Sequence, residues 1–62
     1  MNLQRFDTMD VNMLLSLVNM QLRDHYHDLD DLCRAQEIDR GALEARLAGG
    51  DFHYQPQQRQ FR

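Results

Sequence analysis

Sixty-two residues with one cysteine and a net charge of −3 allow one thin domain, since a core of this size supplies only roughly 3–5 kcal/mol unless a metal, a disulfide or a partner subunit adds to it. Cys33 stands alone, so no disulfide closes within the chain. No apolar run reaches the ~18 residues of a membrane-spanning helix, and residues 1–10 carry one Arg, two Asp and no apolar block, unlike a signal peptide.

The expected setting is therefore the cytoplasm, with no membrane partner. Charge is unevenly placed. Residues 1–39 hold three Arg against seven Asp and one Glu, residues 40–62 hold four Arg against Glu44 and Asp51, and lysine is absent. A phosphate-binding surface needs a concentrated basic patch, and an excess of two charges in the second segment falls short of one.

Residues 1–9 read as a loose N-terminal arm with Leu3, Phe6 and Met9 available to tack it down, and residues 10–62 as a single helical domain. Asp10 is placed to cap a first helix over 11–25, ending in the polar cluster His25, Tyr26, His27. On a wheel of about 100° per residue, Val11, Leu14, Leu15, Val18 and Leu22 form one apolar face. Met13, Leu17 and Met20 form a second stripe on nearly the opposite side. Either this helix is central, with the arm or tail on its back, or the second stripe meets its copy in a second subunit. Methionine suits adaptable contacts and two-fold dimers are the commonest oligomers; the favoured expectation is a homodimer through Met13, Leu17 and Met20.

Asp28 then caps a second helix over 29–36, with Asp30 and Asp31 in the first turn complementing the helix dipole. Asp39 caps a third over 40–48, stopped by Gly49-Gly50. Leu29, Leu32 and Cys33, then Ile38, then Leu43 and Leu47 are the apolar skeleton of a helix-turn-helix. The tail carries Phe52, Tyr54 and Phe61 at strand spacing around Pro56, which predicts a hairpin with a four-residue loop pairing Tyr54 with Arg59 and Phe52 with Phe61. The fold class is mainly α: three helices, the second and third helix-turn-helix-like, with a short C-terminal β-hairpin.

Chemistry is sparse. Imidazoles and carboxylates gather from Asp24 to Asp31, but the two His lie two apart across a helix end and no second ligand set stands at a defined distance. Neither a metal nor any other cofactor is expected. Ser16 sits mid-helix, where its hydroxyl bonds the preceding turn, Cys33 occupies an inward position where thiols are inert, and Gly49-Gly50 follows a helix instead of preceding one. No catalytic residue is assigned, and the reading is not an enzyme.

The outward face of the third helix would be Gly41, Ala45 and Ala48 with Glu44 and Arg46 beside it, poor equipment for reading base edges. Against that, Arg40 at the helix start and Arg59 and Arg62 on the hairpin imitate a winged motif, so Arg40, Arg46, Arg59 and Arg62 are the candidate contacts for nucleic acid or a partner. A self-associating protein-interaction module leads, with an unidentified protein as its further partner; a DNA-binding transcriptional regulator of winged helix-turn-helix type is the alternative.

The run Met13-Leu14-Leu15-Ser16-Leu17-Val18-Asn19-Met20-Gln21-Leu22-Arg23-Asp24, then Leu29-Asp30-Asp31-Leu32-Cys33, Ile38-Asp39 and the closing Phe52-His53-Tyr54…Gln60-Phe61 resemble a family of short bacterial proteins, the domain of unknown function numbered four thousand two hundred and fifty. The resemblance spans about residues 13–61. Members carry Asn-Asp-Pro before the first helix where Met9-Asp10-Val11 stands here, and a Ser where His27-Asp28 stands. The family implies boundaries and no activity. Asn19, Arg23 and Asp24 belong to its pattern, with buried hydrogen bonding between subunits or to the next loop as their expected role.

Overall fold

A computed structural model describes residues 6–62. A 3-10 turn, Phe6–Thr8, precedes three helices, α1 (Val11–Asp24), α2 (Leu29–Gln36) and α3 (Arg40–Ala48), and an antiparallel hairpin of β1 (Tyr54–Gln55) and β2 (Gln60–Phe61). Of the expected N-terminal arm, residues 1–5 and with them Leu3 lie outside the described residues. Phe6 and Met9 pack against the core.

Each helix starts at an aspartate. Asp10 Oδ2 accepts from the Asn12 and Met13 N–H groups at 3.1 Å each, so α1 begins at Val11. Asp28 Oδ1 accepts from Asp31 N–H at 2.8 Å while the Asp31 carboxylate accepts from His27 N–H at 3.1 Å, a reciprocal arrangement close to a capping box. Asp39 Oδ2 accepts from Ala42 N–H at 2.9 Å. These bonds satisfy donors that helix geometry leaves without intrahelical partners.

The helix ends are less regular. His25 caps α1, which stops one residue before the expected end. Glu37 closes α2 with φ 59°, the left-handed conformation glycine usually supplies, and Ile38 N–H then reaches back to Cys33 C=O at 3.0 Å. A side chain in that region costs on the order of 1–2 kcal/mol, so Glu37→Gly is expected to raise stability by about 0.5–1 kcal/mol after glycine's larger unfolded-state entropy is subtracted, readable as a higher urea midpoint at unchanged slope. After α3 the left-handed residue is Asp51, at φ 67°, and neither glycine. Gly50 is required instead for close approach: a Cβ there would stand 2.9 Å from Val11 Cγ2 and 3.1 Å from Phe52 Cε2.

The core gathers Leu14, Val18 and Leu22 from α1, Leu29, Leu32 and Cys33 from α2, Leu43 and Leu47 from α3, and Phe61 from β2. The apolar skeleton of α2 and α3 thus points inward, with Ile38 in the turn half-buried against it. The buried arc of α1 is displaced from the expected one. Val11 and Leu15 are half-buried, Gln21 is buried, and Leu17 packs against the core instead of standing opposite it. Met13 and Met20 remain exposed.

The hairpin differs from the expected pairing by two residues. Tyr54 lies opposite Phe61 and Gln55 opposite Gln60, with His53 and Arg62 exchanging N–H···O bonds at 3.0 Å. Gln55 C=O accepts from Gln58 N–H at 3.1 Å and Arg59 N–H at 2.8 Å, closing the loop over residues 56–59. Proline belongs at the first corner of such a turn and disfavours the second; pairing Tyr54 with Arg59 would have put Pro56 second. Because the slip is even, the aromatic face survives it, and Tyr54 and Phe61 stack tilted with centroids 5.4 Å apart.

Candidate interaction surfaces

Asn19, half-buried on α1, determines where the hairpin lies. Its Oδ1 accepts from Phe61 N–H at 2.7 Å and its Nδ2 donates to Phe61 C=O at 3.1 Å. A side-chain amide presents donor and acceptor as a peptide group does, so Asn19 acts as a one-residue strand along the outer edge of β2. The expected role for Asn19, bonding between subunits or to the next loop, is replaced by this tie within the chain. At the other strand, Tyr54 Oη accepts from Leu29 N–H at 3.3 Å, fastening β1 to the first turn of α2.

The predicted site residues divide by what the fold does with them. Arg40 stands between Glu44 and Asp30, 2.6 Å from each; hydrogen bonding to Glu44 first and Asp30 second raises its guanidinium pKa from an already high value, and its Cζ lies 5.6 Å from the Tyr54 ring centroid. Arg46 turns inward, Nη2 donating to Met9 C=O at 2.6 Å, while its buried Nε meets no partner among the described residues. Arg59 Nη1 reaches His27 C=O at 3.3 Å, and Arg62 Nη1 donates to Gln58 Oε1. Each of the four arginines is thus held by a partner within the fold, and Arg40 and Arg59 line one groove together with Asp28 and Asp30. Arg23 and Asp24 pair with each other at 2.9 Å in solvent, and hydrogen bonding to Arg23 holds the Asp24 carboxyl below its usual range.

Between α3 and the hairpin runs an open groove of about 470 Å³, walled by Gly41, Ala45 and Ala48 on one side and by Phe52, Tyr54 and Pro56 on the other. A second, of about 420 Å³, lies between α1 and the hairpin loop. Among the described residues no three His, Cys, Asp or Glu side chains converge as a metal site would require. Cys33 is buried, and burial pushes its thiol pKa up, which disfavours the reactive thiolate. No helix among the described residues is long and apolar enough to cross a membrane.

A family model described as a domain of unknown function, DUF4250, matches residues 8–61. The chain belongs to that family. Comparison of this DUF4250 domain with curated proteins and with solved structures finds no match. The family description assigns no activity, so the functional reading of the DUF4250 domain rests on its own surfaces. What sequence reasoning missed is the bond between Asn19 and Phe61; the signal was a polar residue midway between the apolar face of α1 and its outer side.

Proposed function

We propose that this domain is a self-associating protein-interaction module of the cytoplasm, with α1 as the contact element. The observation that carries the reading is that Met13, at 59% exposure, and Met20, at 37%, are the exposed large apolar side chains of the described fold. They lie two helical turns apart on one side of α1, with half-buried Leu17 between them at the edge of the core. Flexible, polarizable side chains at such positions suit adaptable contact, and a small core gains most from burying them in a second copy. The lone buried thiol of Cys33 fits a reducing compartment.

Base reading by α3 is the weaker reading. Its outward residues include Gly41, Ala42, Ala45 and Ala48; Arg40 is paired at the surface with Asp30 and Glu44, and Arg46 turns inward to the Met9 carbonyl. A random duplex is expected to show no salt-sensitive mobility shift, because counterion release requires several unengaged cations.

Sedimentation velocity over a concentration series tests the main reading. The wild-type chain is expected to sediment as a dimer, and the double variant Met13→Glu/Met20→Glu as a monomer with an unchanged helical spectrum. Substituting the exposed methionines is the cleaner probe, since Leu17→Glu would also injure the core. A monomeric wild-type chain throughout the series, or a double variant that still dimerises, would reject the assignment.

A further inference from the structure

We propose that the groove between α1 and the hairpin loop binds a small oxyanion, a carboxylate or phosphate group carried on a polar molecule. The groove measures about 420 Å³ and is lined by Ser16, Met20 and Arg23 of α1 and by Gln58, Arg59 and Gln60 of the hairpin. Two arginines and no acidic side chain line it, on a protein whose net charge is −3. Its size falls in the range of small-molecule sites, which place a few convergent polar groups around an apolar surface; here Met20 supplies the apolar part.

The cationic groups are not consumed by the fold. Arg59 uses Nη1 on the carbonyl of His27, and among the described residues no carboxylate pairs with it. Arg23 is partly neutralised by Asp24, through Nε and Nη2, which leaves Nη1 to bond elsewhere. Planar guanidinium groups recognise carboxylate and phosphate through paired N–H donors. The loop also holds Arg59 at φ 53°, a conformation disfavoured for any side chain, and strained backbone of this kind clusters at ligand sites. Asn19, which also lines the groove, is held in place by its two bonds to the Phe61 backbone. Met20 borders both this groove and the proposed contact side of α1, whereas Arg23 and Arg59, which carry the oxyanion proposal, are not among the contact residues named for self-association.

Titration with sodium phosphate and, separately, sodium malonate at constant ionic strength, followed by ¹H–¹⁵N NMR, tests the proposal. Saturable shifts are expected at the backbone amides of Arg59 and Gln60 and the side-chain amide of Gln58. Arg59→Gly, which suits the backbone angle, should weaken binding at least tenfold while the melting temperature stays equal or rises; Arg23→Gln should weaken it several-fold. Saturation by phosphate alone identifies a phosphate ligand, and by malonate alone a carboxylate. Shifts that merely track those produced by sodium chloride, or Arg59→Gly titrating like the wild type, would overturn the assignment.

Discussion

Phe61→Ala is expected to leave the chain largely unfolded at 25 °C. The ring is 2% exposed and belongs to the central cluster with the leucines of all three helices. Removing a buried phenyl group costs about 3–5 kcal/mol, the lost transfer energy plus the cavity left behind. A core this small supplies roughly the same amount in total. The hairpin is therefore no appended wing: a two-stranded ribbon is marginal alone, and here it and the helices stabilise one another. Loss of the cooperative thermal transition by circular dichroism is the expected readout. Phe61→Leu, which keeps most of the volume, should retain a transition at lower temperature. A Phe61→Ala chain melting within a few degrees of the wild type would show that the helices stand without the ring.

The helices were legible because their determinants are local. An aspartate before each apolar run, at Asp10, Asp28 and Asp39, satisfies the first-turn donors wherever the rest of the chain lies, and the observed starts at Val11, Leu29 and Arg40 follow. The hairpin register was not legible to the residue. Two pairings kept Tyr54 and Phe61 on one face, and what separates them is the turn preference of Pro56 together with the Asn19 tie, a partner 42 positions away. Leu17 was misplaced because a wheel treats a helix as isolated; the elements packed on α1 shift its buried arc toward Gln21. The arginines show the same division. Arg40 with Glu44 is a four-residue helical pair open to reading from the sequence. Its second partner Asp30, the Met9 carbonyl under Arg46, and the placing of Arg23 and Arg59 on one groove arise only once separate elements have packed.

Asn19 offers the sharper test, because chemistry there separates from volume. In Asn19→Ala the Phe61 N–H and C=O both lose their partner in a half-buried setting, at a cost of about 2–3 kcal/mol. Asn19→Asp keeps the shape and the acceptor facing Phe61 N–H, now charged. Its second oxygen, however, falls where Nδ2 stood, 3.1 Å from the Phe61 carbonyl oxygen, and two acceptors repel. The neutral acid can donate to that carbonyl, so folding favours protonation and raises the introduced carboxyl above its unfolded value of about 3.9. A raised folded value means that the unfolded state releases its proton first. The restored stability is accordingly complete below the unfolded value and lost as pH climbs through the folded one. Urea midpoints of Asn19→Asp should lie close to those of Asn19→Ala, or below them, at neutral pH and rise toward the wild type near pH 4. The difference between the two variants is the quantity to follow, since carboxylates common to both cancel. A difference that stays flat across that range would mean Phe61 is held by its ring alone.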